Sequence, residues 1–227
     1  MNPTRRTAIT IGILLICAIA CGIFSSVPAL DKQDYLAGVQ DIETRILVAI
    51  FFQALIAILY VAIAVLLYPV IRLAHKQAAL AYLSFRICGA AFLFTGIVSL
   101  LLLLSLGRLY AEADPAGKSQ FVLIGALLRQ TRDWLNHIGM ILPWSIGGLF
   151  LYSSMFKTGL IPRWLSVWGL VATALTLVAT MLFMLDRIQL VTVIYLALNV
   201  PAALLELVLA VYLIARGFLP GYSQKRT

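Results

Sequence analysis

The sequence predicts an all-α membrane protein, a bundle of six transmembrane helices, and three observations support this class. Hydrophobic residues make up 63% of the chain and charged residues only 11%, whereas soluble domains are about 25% charged. Six apolar segments approach or exceed the roughly 20 residues that a helix needs to cross a bilayer. These segments fill most of the 227 residues. We therefore expect one membrane domain over residues 1–227, with spans at residues 7–27, 46–69, 80–106, 134–156, 164–185 and 190–215.

The first span follows Arg5 and Arg6 and resembles a signal peptide. Ala18 stands where a lipoprotein cleavage box carries a larger aliphatic residue, so we interpret the segment as an uncleaved helix. The loop that follows, residues 28–45, predicts a short helix capped by Asp31. We expect this helix to lie on the outer surface of the bilayer or over the bundle. Its apolar side chains share one side: Tyr35, Leu36, Val39 and Ile42.

The third span contains Arg86, and a long outer loop, residues 107–133, follows it. Arg86 lies about 9 Å from the predicted start of its helix, a depth from which arginine can reach back to the headgroups. Within the loop, residues 121–128 are apolar but too few to span, which predicts an interfacial or partly re-entrant helix. We expect Arg129, Arg132 and Asp133 to separate this helix from the fourth span.

Pro143 in the fourth span and Pro201 in the sixth predict helix kinks at similar depth. A proline removes one backbone hydrogen bond and clashes with the preceding turn. Kinked helices can enclose a cavity between them, but kinks also occur in helices that only pack together. The sequence leaves both interpretations open.

The distribution of charge predicts the topology. Loops counted alternately from the N-terminus carry bases and no acid on one side of the membrane, while every acid except Glu206 falls on the other. The positive-inside rule then places both termini in the cytoplasm of a bacterial cell, with the chain in the inner membrane. The net charge of +8 is thus a topology signal that also suits anionic membrane lipids. We expect no nucleic-acid partner.

Glu206 lies inside the sixth predicted span, where a charge is costly unless it is paired, neutralised or used. Its Cα lies about 14 Å from the cytoplasmic end of that span, a depth comparable to that of Arg86. Asn199 is two turns from Glu206 on the same face. We therefore predict an interior polar seam of Asn199, Glu206 and Arg86. It is either a clasp that fixes helix register or a site that binds a ligand or handles protons.

His137 and Asp133, near the outer end of the fourth span, form a second candidate site. Four residues separate them, so they share one helical face, either as a hydrogen-bonded interface pair or as functional groups. The other histidine, His75, is predicted on the opposite side of the membrane, which excludes a multi-histidine zinc site. The sequence contains no motif for catalysis, a metal or a cofactor. We interpret the three cysteines as packing residues: Cys17, Cys21 and Cys88.

Several stretches resemble a bacterial family of multi-pass membrane proteins, domain of unknown function 4386. The most specific are residues 145–152 (SIGGLFLY) and 160–169 (LIPRWLSVWG). Weaker likenesses are AYLSFR at residues 81–86 and the segment from LNVP at 198–201 to LIARGF at 213–218. Tyr212 departs from the pattern, since the family usually has tryptophan there. The resemblance covers essentially the whole chain and implies a six-helix membrane fold, but it implies no activity.

Three functions therefore remain open from the sequence. The first is a non-enzymatic binding, sensing or accessory protein for a lipid, a hydrophobic small molecule or a membrane-protein partner, which includes a second copy of this chain. The second is a small proton-coupled transporter that uses Glu206 and Arg86 near the midplane of the membrane. The third is an intramembrane enzyme with Glu206 or His137 as its acid–base residue.

Overall fold

A computed structural model of the chain describes residues 3–32, 34–190 and 192–219, and within these residues it is helical without a β-strand. Six continuous helical segments are long and apolar enough to cross a membrane, which confirms the six predicted spans. Five of them differ from the predicted boundaries by at most six residues at either end, whereas the fourth begins sixteen residues earlier, at Lys118. The α-helices are α1 (Pro3–Phe24), α2 (Glu43–Ile71), α3 (Lys76–Glu112), α4 (Lys118–Trp134), α5 (Leu142–Thr158), α6 (Arg163–Met184) and α7 (Val193–Ala215).

The loop before α2 does not form the predicted helix. Asp31 is the last residue of a short 3₁₀ helix, Pro28–Asp31, and residues 34–42 form successive turns instead. The predicted apolar side is nevertheless buried, because Tyr35, Leu36 and Val39 pack against leucines of α3. Gly107 of α3 permits this contact, since a Cβ there would lie 2.6 Å from the Val39 side chain. Burial against α3 therefore determines this loop more than helix propensity does.

The expected break between the outer-loop helix and the fourth span is absent. α4 continues through a π-helix, Leu135–Ile141, into α5, so that Lys118–Thr158 is one helical segment. The charges of α4 have local partners: Arg132 pairs with Asp133 at 2.7 Å, and Arg129 lies over the Tyr35 ring. Because these charges are satisfied, they do not force the helix to end.

The π-helix explains how the segment accommodates Pro143. The Leu142 N–H donates to the His137 carbonyl, five residues back, and Pro143 follows directly in the first turn of α5. The irregularity predicted at Pro143 is thus a widened turn. Pro201 lies inside α7, which the structure assigns as a single helix.

The membrane-spanning helices form a closed ring. Each packs against its neighbour in the order α1, α2, α3, α5, α6, α7, and α7 packs against α1. At this closure Arg5 donates hydrogen bonds to three carbonyls in the last turn of α7, those of Leu213 (3.1 Å), Ile214 (2.7 Å) and Ala215 (3.0 Å). The start of α1 and the end of α7 therefore lie at the same end of the bundle. The ring order also places α3 opposite α7.

Candidate functional site

Glu206 of α7 and Arg86 of α3 face the centre of the ring from opposite sides. Arg86 is ten residues from the start of its helix and Glu206 nine residues from the end of its own. At 1.5 Å per residue, both Cα atoms lie about 14–15 Å from the same end of the bundle. Both side chains line the same two internal cavities. The structure thus brings together the two charges that the sequence predicted to meet.

The partner that touches the Glu206 carboxylate is Tyr60 of α2. The Tyr60 hydroxyl donates to Glu206 Oε2 at 2.6 Å. The ion pairs within the described part of the chain are Glu43–Arg108 and Asp133–Arg132. A direct Glu206–Arg86 pair is not among them. The helices are therefore joined at this point through the tyrosine rather than through the predicted clasp.

Arg86 extends into the bundle instead of back to the headgroups. Its guanidinium carbon lies 4.7 Å from the ring centroid of Tyr60, 4.9 Å from that of Trp144 and 5.3 Å from that of Tyr82. All three distances allow cation–π attraction. Trp144 also donates from Nε1 to the Arg86 carbonyl at 3.0 Å, so the indole holds the arginine through both its backbone and its side chain.

A partly open cavity of about 140 Å³ lies between α3, α5, α6 and α7. The charged and aromatic side chains on its wall are Arg86, Trp144, Tyr152 and Glu206, and three aliphatic hydroxyl side chains complete its polar lining: Ser145, Thr173 and Thr176. Arg86 Nε and Thr176 Oγ1 are buried atoms without a hydrogen-bond partner. Such unpaired atoms are uncommon in native interiors because each leaves a desolvation cost uncompensated. Two of the residues that line the cavity thus each have a buried polar atom without a partner.

Asn199 does not join this cluster. Its Nδ2 donates to the Tyr195 carbonyl of its own helix at 2.9 Å, and it does not line the cavity next to Glu206. Asparagine often satisfies itself on a nearby backbone carbonyl in this way. The predicted seam is therefore shorter than expected, and it contains Tyr60 in place of Asn199.

His137 lies buried in the π-helix, 6% exposed, and its two ring nitrogens have different partners. Nδ1 lies 2.8 Å from the Asp133 carbonyl, and Nε2 lies 2.8 Å from the Tyr195 hydroxyl of α7. Because a carbonyl only accepts, Nδ1 carries the proton of the neutral ring and Nε2 accepts from Tyr195. The predicted contact between His137 and Asp133 is thus made through the backbone, while the Asp133 carboxylate pairs with Arg132.

We call the cluster around Glu206 and Arg86, together with the cavity beside it, the central site. Sequence reasoning missed three of its residues: Tyr60, Trp144 and Thr176. Tyrosine and threonine are common in apolar helices, and tryptophan is enriched at membrane interfaces. A usable signal was the repeat of hydroxyl residues on α6 at positions 173, 176 and 180, which places them on one face. All three are at most 9% exposed. Among the described residues, no three His, Cys, Asp or Glu side chains are arranged to hold a metal ion.

The central site contains groups that can hydrogen-bond to a ligand and a group that can exchange a proton. It combines a permanent cation, a carboxylate, and hydroxyl groups that both donate and accept. Its carboxylate accepts a hydrogen bond from the Tyr60 phenol. The arrangement is thus suited to hydrogen bonding, ion pairing and proton exchange.

Comparisons with known proteins agree with the resemblance noted in the sequence. No curated protein and no solved structure matches the chain. A family described as "Domain of unknown function (DUF4386)" matches residues 10–217, a range that includes every residue of the central site. The chain therefore belongs to the DUF4386 family, whose description carries no activity.

Proposed function

We propose that this protein is a non-enzymatic membrane protein that binds a small amphiphilic molecule in the cavity between α3, α5, α6 and α7. The observation that carries the proposal is that Arg86 and Thr176, each of which has a buried polar atom without a hydrogen-bond partner, both line one partly open cavity. A ligand that hydrogen-bonds both atoms recovers the free energy that their burial costs, about 1–3 kcal/mol for each group.

The size and lining of the cavity fit the polar end of such a ligand. One water needs roughly 10–15 Å³ of such space, so about 140 Å³ accommodates a polar group together with a short apolar stretch. Ligand sites are usually lined by apolar side chains with a few convergent polar groups. Here Arg86, Thr176 and Glu206 supply those groups.

Photocrosslinking of the purified protein in nanodiscs tests the proposal. The probe is a long-chain alcohol with a diazirine beside its hydroxyl group, and the labelled residues are mapped by mass spectrometry. We expect labels on α5, α6 and α7 around the cavity, because the hydroxyl end enters it. Labels spread evenly over the outer surface of the bundle would contradict the proposal.

Two variants of α6 give the matched comparison. Thr176→Phe fills the cavity, whereas Val178→Phe adds the same ring to a side chain that is 48% exposed on the same helix. We expect Thr176→Phe to abolish the cavity labels and Val178→Phe to retain them. Equal labelling in the two variants would show that the probe does not use this cavity.

A proton-coupled transporter is the second candidate, and a specific observation favours it. Arg86, Tyr152 and Glu206 line both the larger cavity and a smaller void of about 20 Å³ on their other side. Side chains between two cavities in the middle of a membrane are placed to control passage from one to the other. This version predicts proton-driven uptake of the crosslinking amphiphile into liposomes. Uptake that survives Glu206→Gln would rule out the proposed role of that residue.

We also propose the topology that the charge distribution predicts, with both termini in the cytoplasm and the chain in the bacterial inner membrane. The contact of Arg5 with the last turn of α7 supports the part of this proposal that places the two helix ends on one side. Reporter enzymes fused after Gly217 and within the loop between α3 and α4 test it, because they should report opposite sides.

A further inference from the structure

We infer that the polar group bound in the cavity is an anion, with a carboxylate as the best match, and that Glu206 takes up one proton when it binds. This inference rests on the proposed binding function and names the chemical class of its ligand. It starts from Arg86, whose guanidinium stays charged at any physiological pH. The structure gives this cation three aromatic faces and leaves its Nε–H without an acceptor.

The other groups on the cavity wall also suit an anion. Thr176 Oγ1 is unpartnered in a residue that is only 9% exposed, and Ser145 and Thr173 add hydroxyl groups on the same wall. A carboxylate accepts several hydrogen bonds and pairs with guanidinium in a planar geometry. An uncharged alcohol accepts fewer hydrogen bonds and does not neutralise the charge of Arg86.

The negative charge of Glu206 repels a bound anion, and uptake of a proton by Glu206 removes this repulsion. Two carboxylates at close range in a medium of low dielectric constant repel strongly, so one of them becomes protonated. The proton comes from the aqueous phase and binds the Glu206 carboxylate, while the ligand stays ionised beside Arg86. Protonated Glu206 keeps its bond to Tyr60, since its O–H can donate to the phenol oxygen that donated to it before.

Among the residues that the structure describes, no other group near Glu206 competes for this role. The ionisable side chains that face it are Tyr60 of α2, Tyr82 and Arg86 of α3, and Tyr152 of α5. α1 and α6 face it with apolar and hydroxyl side chains. A phenol is already protonated at neutral pH and arginine cannot lose its proton. The proton therefore goes to Glu206.

Titration calorimetry of the full chain in uncharged nanodiscs tests the inference. The probes are acetate and oleate, each with an uncharged analogue, acetamide or oleyl alcohol. Measurements in two buffers with different ionisation enthalpies give the number of protons taken up. We expect about one proton per bound carboxylate near pH 7 and none for an uncharged analogue. Tighter binding of oleate assigns the ligand to the bilayer, and tighter binding of acetate assigns it to the aqueous phase.

Variants separate the roles of the residues. Glu206→Gln should still bind the carboxylate but without proton uptake, and Arg86→Gln should weaken binding by at least about thirtyfold. Because Arg86→Gln can also impair folding, Thr176→Val supplies a milder test with an expected loss of about fivefold. Its control is Thr180→Val, since the Thr180 hydroxyl donates to the Thr176 carbonyl at 2.9 Å within the same helix. That variant should bind like the original chain.

The outcomes distinguish this inference from the proposed function. If the uncharged analogues bind as tightly as the carboxylates, the anion inference fails while the binding function stands. Carboxylate binding without proton uptake in the original chain refutes the role of Glu206. If none of the four probes binds to folded protein, the proposed function fails with the inference.

Discussion

Replacing Gly89 with alanine should destabilise the bundle by displacing the indole that holds Arg86. A Cβ at this position in α3 would lie 2.2 Å from Trp144 Nε1, 2.3 Å from its Cδ1 and 3.0 Å from the Met140 carbonyl oxygen. These distances are too short for non-bonded atoms, so the indole must move. Its movement breaks the hydrogen bond from Trp144 to the Arg86 carbonyl and disturbs the Tyr60 ring, whose centroid is 4.7 Å away.

The expected size of the effect follows from these contacts. Overpacking costs about 1–3 kcal/mol, the lost hydrogen bond about 1 kcal/mol and the disturbed aromatic pair about 0.5–1.5 kcal/mol. Alanine returns up to about 1 kcal/mol through its better helix propensity. We therefore expect the free energy of unfolding to fall by about 3 kcal/mol.

Equilibrium unfolding by SDS in mixed micelles, followed by far-ultraviolet circular dichroism, measures this change. Gly22→Ala is the matched control, because a Cβ at Gly22 of α1 would meet no atom within 4 Å. It should leave stability unchanged or slightly raise it. Adding Trp144→Phe to Gly89→Ala should cost less than the sum of the two single changes. If Gly89→Ala is as stable as the original chain, the packing argument is wrong.

Three further expectations concern single side chains. Arg5→Ala should cost about 1–2 kcal/mol and speed amide hydrogen exchange in the last turn of α7, which Arg5 caps, whereas Arg6→Ala at an exposed position should change neither. Tyr60→Phe removes the donor to Glu206 and should lower the unfolding free energy by about 1–2 kcal/mol. Tyr68→Phe is the control, and an equally small effect of the two substitutions would contradict the assigned hydrogen bond. Burial raises the pKa of the Tyr35 phenol, although the charges of Arg129 and Arg132 act to lower it. The stability that the un-ionised phenol contributes is therefore full below about pH 10 and is lost as the pH rises above that value. A denaturation series at alkaline pH should show this loss in the original chain and a smaller one in Tyr35→Phe.

Hydropathy was sufficient for the spans because length and apolar composition are local properties of the sequence. It failed at Arg129, Arg132 and Asp133, which resembled the end of a helix. Arg132 and Asp133 pair with each other, while the Tyr35 ring reaches Arg129 only when the loop before α2 folds onto α3 and α4. The π-helix was also missed, since the hydrophobic pattern of a single widened turn differs little from that of an α-helix.

The site was predictable only in part, for a related reason. Glu206 and Arg86 attract notice because charges are rare in apolar helices. Their shared neighbours depend on the ring order, which puts Tyr60 of α2 and Trp144 of α5 in contact across the bundle. Asn199 lay on the correct helical face, yet a carbonyl four residues back was nearer than Glu206.

The contact between α1 and α7 has a consequence for how the protein is made. A chain is synthesised from its N-terminus, so Arg86, Tyr60 and Trp144 leave the ribosome before Glu206 does. The carboxylate arrives on the same helix whose packing against α1 closes the ring. A chain that stops before Val193 therefore carries the arginine and its aromatic neighbours but neither the acid nor the closing helix. The cluster around Arg86 and the closure of the ring therefore both wait for α7.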